Sequence, residues 1–230
     1  MKHIFITLLI AVTTLSQAYA ETYSLNMGEF SRLKVIDGIN VDYHCSKDSA
    51  GIVTFECDNS DAASLIGMSN RDQELTLSYT TTGQTRTGLP TVKVYSSFLT
   101  KVENSGDSLV RVMSVVPCPN FSVSQIGNGR VVVRDISATR VRAKINTGNG
   151  NIVLYGKCDE AVLNMTGTGI LQADGLDATT VKISAYGTGS VGCHPAELLK
   201  IHGIGSTRVY YRGTPLVRNR AVGVKVEQIQ

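Results

Sequence analysis

The residues best placed to do chemistry are Cys193 and His194, which are adjacent in the chain. A thiol beside an imidazole is the pairing that nucleophilic cysteine enzymes use, because the ring takes up the thiol proton. Neighbouring side chains of a β-strand, however, point to opposite faces of the sheet. If this segment is a strand, we expect a buried thiol beside a surface imidazole, and no reactive pair.

A second candidate chemistry is polysaccharide cleavage, which needs clustered carboxylates to hold a metal ion and a basic residue to accept a proton. The acidic residues between positions 91 and 212 do not recur at a common spacing, so they predict exposed turns rather than a column of carboxylates. The sequence also contains no Gly-x-Ser-x-Gly elbow, no Cys-x-x-Cys pair and no phosphate-binding loop. We therefore predict a protein that is not an enzyme, with no catalytic residues, no metal site and no cofactor.

Charge is distributed unevenly along the chain. Residues 21–90 contain 5 basic and 10 acidic side chains, whereas residues 91–230 contain 16 and 9. Three of these basic residues, Arg140, Arg142 and Lys144, alternate along one segment and would project from one face of a strand. Two more, Arg130 and Arg134, are expected one rung away, that is, on the neighbouring strand of a stacked repeat. Such a stripe favours an anionic glycan or a lipid headgroup as the partner. The alternative is a solvated face whose charges keep an exposed sheet soluble and discourage edge pairing.

Aromatic side chains bear on the choice of partner. None interleaves the arginines, so nucleic acid is not expected, since single strands bind by stacking on aromatic rings. Near the C-terminus Tyr210, Tyr211 and Arg212 are consecutive. Tyr210 and Arg212 are candidate contacts for a sugar ring, and the alternative places one tyrosine in the core and the other at the end of the fold.

The segments that must position these side chains are organised by a repeated Gly-x-Gly triplet. Starting from a degenerate copy at Gly106, the first glycines of successive copies are 21, 21, 19, 20 and 16 residues apart. A period near twenty is typical of stacked repeats, in which each unit buries its apolar face against its neighbours. Glycine suits such corners because it adopts positive φ without a steric penalty. The five complete copies are Gly127-Asn128-Gly129, Gly148-Asn149-Gly150, Gly167-Thr168-Gly169, Gly187-Thr188-Gly189 and Gly203-Ile204-Gly205.

Apolar residues recur at fixed offsets on both sides of each corner. A spacing of two indicates strands that direct alternate side chains to one face. In the third copy Val141, Ala143 and Ile145 are one residue out of phase, and the longer corner at 147–151 is expected to absorb this slip as a bulge. The column after the corner is Val110/Val112, Val131/Val133, Ile152/Leu154, Leu171/Ala173, Val191/Cys193 and Thr207/Val209; the column before it is Phe121/Val123/Gln125, Ala161/Leu163/Met165, Val181/Ile183/Ala185 and Glu197/Leu199/Ile201.

Short strands between glycine corners, with almost no helical pattern from Thr91 to Arg212, predict an all-β fold. The preferred architecture is a right-handed parallel β-helix, or β-solenoid, with an N-terminal β-strand and hairpin region. The alternative is a meander folded into a sandwich or barrel, because such folds also combine short strands with regular turns.

The N-terminal residues 1–20 are typical of a secretory signal. Lys2 is followed by an apolar run and then by Ala18-Tyr19-Ala20, whose small residues suit a cleavage site. We therefore expect an exported protein that is periplasmic, surface-associated or secreted.

The mature chain, residues 21–230, is predicted to form a single domain with three regions: N-terminal strands at 21–90, repeats at 91–215 and a C-terminal strand at 216–230. In the first region Val41–Cys45 and Ile52–Cys57 have the pattern of a strand pair. Asp61–Ile66 has the pattern of one helical turn.

The five cysteines are an odd number, which leaves at least one thiol unpaired. Cys118 and Cys158 each precede a corner glycine by nine residues and Cys193 by ten, which predicts the same turn on alternate rungs. Rungs are about 4.8 Å apart, so alternate rungs exceed the roughly 7 Å that a disulfide spans. We expect these three to be buried thiols, and a Cys45–Cys57 bridge stays open.

Several segments together resemble the putative auto-transporter adhesin head-GIN domain family, whose members are exported bacterial proteins that are frequent in Bacteroidetes. The similarity rests on Gly38-Ile39-Asn40 within Val35–Val41, on the acidic strand end Glu56–Asn59, on the glycine corners and on Val209–Pro215. It covers roughly residues 30–228. The resemblance implies a pectin-lyase-like β-helix without the lyase's catalytic residues, and a role in adhesion. The corners here contain Asn and Thr more often than the family's Ser-Gly-Ser-Gly, which leaves the ligand of the loop surface open.

The preferred function is thus a non-enzymatic exported binding protein, an adhesin for an anionic glycan or for a component of the cell envelope or host surface. The alternatives are a β-helical polysaccharide lyase or hydrolase, and a structural or lipid-binding envelope module. Asp48-Ser49-Ala50 and Asp107-Ser108-Leu109 also resemble the Asp-Ser/Thr-apolar acceptor of O-glycosylation in Bacteroidetes. Ser49 and Ser108 are therefore candidate modification sites.

Overall fold

The computed structural model describes residues 21–57, 66–79 and 89–229, and every regular element in these ranges is a β-strand. The predicted signal peptide lies outside the described residues. In chain order the strands are β1 (Glu21–Asn26), β2 (Arg32–Val35), β3 (Val41–Cys45), β4 (Ile52–Cys57), β5 (Ile66–Arg71), β6 (Glu74–Tyr79), β7 (Val92–Ser96), β8 (Lys101–Asn104), β9 (Leu109–Val112), β10 (Cys118–Gln125), β11 (Arg130–Ile145), β12 (Asn151–Met165), β13 (Ile170–Ala185), β14 (Ser190–Gly203), β15 (Arg208–Tyr211), β16 (Leu216–Asn219) and β17 (Lys225–Gln228).

The strands form a β-solenoid with two walls, which confirms the predicted fold class over the sandwich and the barrel. Segments that precede a glycine corner stack in parallel as the pre-corner wall: β6, β2, β8, β10, the second halves of β11 to β14, and β16. Segments that follow a corner stack in parallel as the post-corner wall: β7, β3, β9, the first halves of β11 to β14, β15 and β17.

The inward columns predicted from the sequence are confirmed in the central rungs. On the post-corner wall Val131, Ile152, Leu171 and Val191 lie in register on successive strands, and all four are fully buried. The out-of-phase third copy keeps its strand register, because Ile145 aligns with its neighbours on β10 and β12. The extra residue is therefore taken up in the corner loop, where it was expected, and not as a bulge within the strand.

The middle residues of the corners are linked from rung to rung by hydrogen bonds. Asn128 N donates to Asp107 Oδ1 at 3.1 Å, and Asn149 N donates to Asn128 Oδ1 at 3.1 Å. Thr168 Oγ1 continues the series by donating to Asn149 Oδ1. Asp and Asn at these positions supply side-chain acceptors for the next rung, which gives a physical reason for polar residues at the centre of the corners.

The Gly38-Ile39-Asn40 segment is itself a corner of this stack. It joins β2 to β3 and lies against the Gly106 corner, where Leu109 N donates to Asn40 Oδ1 at 2.9 Å. A Cβ on Gly106 would lie 1.6 Å from Asp37 O, so only glycine fits this contact. The β2–β3 rung is thus inserted between the β6–β7 rung and the β8–β9 rung. The N-terminal strands and the repeats share one hydrophobic core.

One prediction for the N-terminal region is corrected. β3 and β4 do not pair with each other, because β3 lies between β7 and β9 whereas β4 pairs antiparallel with β1 and β7. The hairpin of this region is β5–β6, whose turn residues Asp72 and Gln73 have φ of 51° and 61°. Positive φ at both positions matches the turn that suits twisted strands. The predicted helical turn lies mostly in 58–65, outside the described residues, and its last residue, Ile66, begins β5.

The last corner is shifted by two residues from its prediction. Gly203 aligns with Ala185 rather than with Gly187. Gly205 lies against Gly187 instead, since a Cβ on Gly205 would be 2.5 Å from Gly187 O. The interval between these corners is therefore 205 − 187 = 18 residues. The shift also explains why Glu197, predicted to face the core, is exposed.

The cysteine predictions are confirmed in part. Cys118 and Cys158 both align with Ala138 from opposite sides, so they occupy the same turn on alternate rungs. Cys193 does not share that turn, because it lies on the post-corner wall in register with Ala173. All three are buried free thiols. Cys45 is also a free thiol, so no bridge joins it to β4.

Ser108 is not a suitable modification site. It is buried at the Gly106 corner, and its hydroxyl donates to Asn104 Oδ1 at 2.9 Å. A glycosyltransferase needs an accessible hydroxyl, so the prediction for Ser108 is corrected. Ser49, which is half-buried, stays a candidate.

Candidate binding surface

The outward face of the pre-corner wall carries rows of side chains that strand register sets. Lys182, Lys200 and Arg218 lie side by side in one row, since β13, β14 and β16 are in parallel register here. His202 belongs to the next row, and Arg220 joins it one rung later because Arg220 N donates to Ile201 O at 2.8 Å. Adjacent strands are about 4.8 Å apart. Lys200, His202, Arg218 and Arg220 therefore occupy one small area, which we call the basic patch.

The core beneath the patch fixes the direction of its side chains. Leu199 and Ile201 are buried, so the alternate residues Lys200 and His202 must point outward. The patch surrounds a cavity of about 310 Å³ whose lining is Lys200, Ile201, His202, Arg218 and Arg220. The basic groups thus converge on a space open to a ligand instead of spreading over a flat sheet.

Lys182, at the edge of this area, has its charge satisfied within the chain. Glu160 forms ion pairs with Lys182 and with Arg140 on either side of it. Hydrogen bonds from Lys182 and Arg140 lower the pKa of Glu160 below its ordinary value, so the carboxylate is ionised at neutral pH. Arg140 and Lys182 therefore carry less free charge than the sequence alone indicates.

The basic patch has no such counter-charge. Among the described residues no carboxylate forms an ion pair with Lys200, Arg218 or Arg220. His202 Nε2 is 3.0 Å from Ser184 Oγ, a neutral partner. Like charges on adjacent strands repel each other, and a bound anion would relieve that repulsion. Lys and Arg are also the side chains best suited to sulfate, phosphate and carboxylate groups.

The basic residues singled out from the sequence do not form one surface. Arg142 and Lys144 are exposed on the pre-corner wall, three rungs from Lys200. Arg130 and Arg134 do not lie one rung from them, which corrects the prediction. All four are on β11, which crosses between the walls at a bend where its register with β12 shifts. Arg130 is on the post-corner wall and Arg134 is at the bend, because a single long strand spans both sides of the solenoid.

Tyr210 and Arg212 lie on or next to β15 on the post-corner wall, away from the basic patch. Tyr210 alternates with Tyr211, which is partly buried against the core. Arg212 Nη2 is 3.6 Å from Asp174 Oδ2. Tyr211 is thus the tyrosine that packs against the core, as the alternative interpretation of the sequence expected. The Asp174 carboxylate is a counter-charge for Arg212 within the chain.

Cys193 and His194 are separated as predicted. Burial raises the pKa of Cys193 to about 12, which keeps the thiol protonated and unreactive near neutral pH. His194 faces outward, and its Nδ1 is 2.7 Å from Asp177 Oδ1. The two side chains cannot act as a nucleophile and its base.

Residues 21–57, 66–79 and 89–229 contain no group of three His, Cys, Asp or Glu side chains able to hold a metal ion. The same ranges contain no helix long and apolar enough to cross a membrane. A second concavity, of about 660 Å³, follows the bend between the walls over a floor of small residues that includes Cys118, Ala138 and Cys158. It lacks the convergence of like charges that marks the basic patch.

The alternation of basic residues along a single strand could not predict the basic patch, because its residues come from neighbouring strands of the wall. The available signal was the 18-residue interval that places Lys182, Lys200 and Arg218 in one row and His202 and Arg220 in the next. The mistaken interval of 16 residues at the last corner concealed this recurrence.

The parallel stacking of strands in two walls defines the chain as a β-solenoid protein. The model of the family described as putative auto-transporter adhesin, head GIN domain matches residues 29–215, and the chain belongs to that family. The resemblance found through Gly38-Ile39-Asn40 is thereby confirmed. None of the curated proteins matches the sequence.

Several solved structures have the same fold at low sequence identity. A putative adhesin from Bacteroides fragilis is 20% identical with a TM-score of 0.80, covering 91% of this chain and 96% of that one. A putative lipid binding protein from Parabacteroides distasonis is 15% identical with a TM-score of 0.73, covering 92% and 97%. A putative adhesin from Parabacteroides merdae is 20% identical with a TM-score of 0.65, covering 92% and 97%. These similarities support the fold alone.

Proposed function

We propose that this protein is a non-enzymatic exported adhesin that binds an anionic polysaccharide through the basic patch. The observation that carries the proposal is the convergence of Lys200, Arg218 and Arg220, without ion-pair partners in the described chain, on one cavity of a fixed wall. Membership of an adhesin family supports the binding role. The secretory signal predicted at residues 1–20 supports export.

Sulfate or carboxylate groups of a polymer would accept hydrogen bonds from these side chains. An individual charge-assisted hydrogen bond contributes about 1.5–3 kcal/mol when desolvated and less at an exposed surface. Adhesion to a polymer does not need one strong site, because successive charged units engage several weak contacts at once. Binding through exposed charges is screened by salt, so its affinity should fall as ionic strength rises.

The first test measures binding of residues 21–230 to dextran sulfate and to neutral dextran. We expect retention on dextran sulfate alone. The double variant Lys200→Gln/Arg218→Gln should bind at least about tenfold more weakly, since each factor of ten corresponds to about 1.4 kcal/mol. A matched control, Arg130→Gln/Arg134→Gln, removes the same charge elsewhere and should change the affinity by less than about twofold.

Equal losses in the two double variants would show attraction by net charge only and would overturn the assignment to the basic patch. Two further assays separate the alternatives. Binding to anionic phospholipid vesicles without binding to dextran sulfate would favour an envelope lipid-binding module. New unsaturated ends or reducing sugars after incubation with pectin-like polymers would contradict the non-enzymatic part of the proposal.

A further inference from the structure

The two ends of the solenoid are finished differently. At the N-terminal end β4 and β5 pair antiparallel with β7 and β6 of the first rung, and their core residues Phe55 and Ile66 are only 3% and 7% exposed. At the C-terminal end the last rung is β16 and β17. Val217 and Val226, which face the core there, are only partly buried. Stacked-repeat folds need a cap at each end to cover such residues, and within residues 21–57, 66–79 and 89–229 none covers this end.

The backbone of β17 offers a free pairing edge. Among the described strands β17 pairs with β15 alone, through bonds that include Lys225 N to Thr207 O at 3.1 Å and Ile229 N to Tyr211 O at 2.9 Å. Alternate residues of a strand direct their N–H and C=O groups to opposite sides. The N–H and C=O of Val226 therefore point away from β15, and such an open edge is a template for another strand.

The sequence of β17 is complementary to itself when reversed. An antiparallel pair of β17 strands centred on Val226 makes the two copies of Val226 a hydrogen-bonded pair. Lys225 of each copy then lies opposite Glu227 of the other, in the non-hydrogen-bonded positions where side chains approach more closely. A parallel in-register pair would instead place lysine against lysine. Charge thus selects the antiparallel arrangement, which has the two-fold symmetry common in homodimers.

We infer that a second copy of this chain covers the C-terminal end, through antiparallel pairing of the two β17 strands. Because both walls end at this rung, the β16 strands of the two copies also come edge to edge. The basic patches then lie on the same face of the dimer. Repulsion between the two copies of Arg218 opposes association, so a weak, concentration-dependent dimer is expected.

Sedimentation velocity of residues 21–230, from low to high micromolar concentration, tests the inference. We expect a shift from monomer to dimer for the unmodified chain. Glu227→Lys places like charges opposite each other twice and should weaken dimerisation at least tenfold. The swap Lys225→Glu/Glu227→Lys restores both opposite-charge pairs and should recover the dimer, which general loss of stability would not do. Glu197→Lys makes the same charge change on an exposed residue away from this end and should leave the dimer unchanged.

Val226→Pro is a second probe, because it removes an N–H that bonds to none of the described residues and leaves the bonds to β15 intact. It should remain monomeric at all concentrations, with a circular dichroism spectrum like that of the unmodified chain. A monomer at every concentration for the unmodified chain would overturn the inference. So would a dimer that Glu227→Lys leaves unaffected. Polysaccharide binding by the monomer is measured in a separate experiment. Failure of the dimer inference would therefore not affect the test of polysaccharide binding by the basic patch.

Discussion

Replacing Gly169 with alanine is expected to lower the free energy of unfolding by more than about 3 kcal/mol, the upper part of the range for single substitutions. A Cβ at this position would lie 2.1 Å from Gly150 O, which is backbone of the preceding rung. Moving the two rungs apart would break the bond from Ile170 N to Gly150 O, now 3.0 Å. The clash therefore cannot be relieved by a change of rotamer.

Gly192→Ala is the matched control. The nearest heavy atom to a Cβ there is Asp174 Oδ1, at 3.3 Å, on a side chain that can move. We expect a change within about 1 kcal/mol, since alanine also reduces the entropy of the unfolded chain. Urea unfolding followed by circular dichroism gives the midpoint and slope for each variant. Equal destabilisation by the two substitutions would contradict close stacking at the corners.

Asn104→Ala is expected to lower the free energy of unfolding by about 2–4 kcal/mol, because it leaves several buried polar groups at the Gly106 corner without their hydrogen-bond partner. Asn104 Nδ2 donates to Ser108 O at 3.0 Å. Its Oδ1 accepts from Gly106 N at 3.3 Å and from Ser108 Oγ at 2.9 Å. Ser108 stands where the complete corners have their second glycine. Asn104 is therefore the residue that holds this exceptional corner together.

The control is Asn164→Ala, on the same wall but not fully buried and without such bonds among the described residues. Its unfolding free energy should change by no more than about 0.5 kcal/mol. The double variant Asn104→Ala/Ser108→Ala should be less unstable than the sum of its parts, because the two side chains share a bond. Strict additivity in thermal or urea unfolding would argue against this network.

Much of the central fold could be predicted from the sequence because register and burial repeat together. Val131, Ile152 and Leu171 stand at one offset from a glycine, and the same offset places them in one buried column. Local pattern and long-range pairing agree in these rungs. The alternation of burial on β12 and β13 follows for the same reason.

Prediction was wrong where local pattern and long-range pairing conflict. Gly203-Ile204-Gly205 has the form of a corner, yet β13 and β14 pair in a register that aligns Val181 with Leu199, and Gly205 takes the corner position. Likewise β3 and β4 are neighbours in sequence, but β3 lies between β7 and β9 whereas β4 pairs antiparallel with β1 and β7. Neither outcome is decided by residues within the segment itself.

The candidate site shows the same limit. Arg140, Arg142 and Lys144 alternate visibly along one strand, but Arg140 is neutralised by Glu160, a residue of the next rung. Lys200 and Arg218 are isolated in the sequence and become neighbours only through the 18-residue register. Charge in a solenoid has to be read across rungs, once the interval between corners is known.

The insertion of β2 and β3 between later strands makes the order of stacking differ from the order of synthesis. A ribosome delivers β2 long before β8, and the contact between Asp42 and Arg111 joins positions separated by 69 residues. One side of the β2–β3 rung therefore stays unpaired until β8 and β9 have been synthesised. Closing so long a loop has an entropic cost, which slows folding. The N-terminal layers therefore cannot be completed before β9, which ends at Val112, has been synthesised.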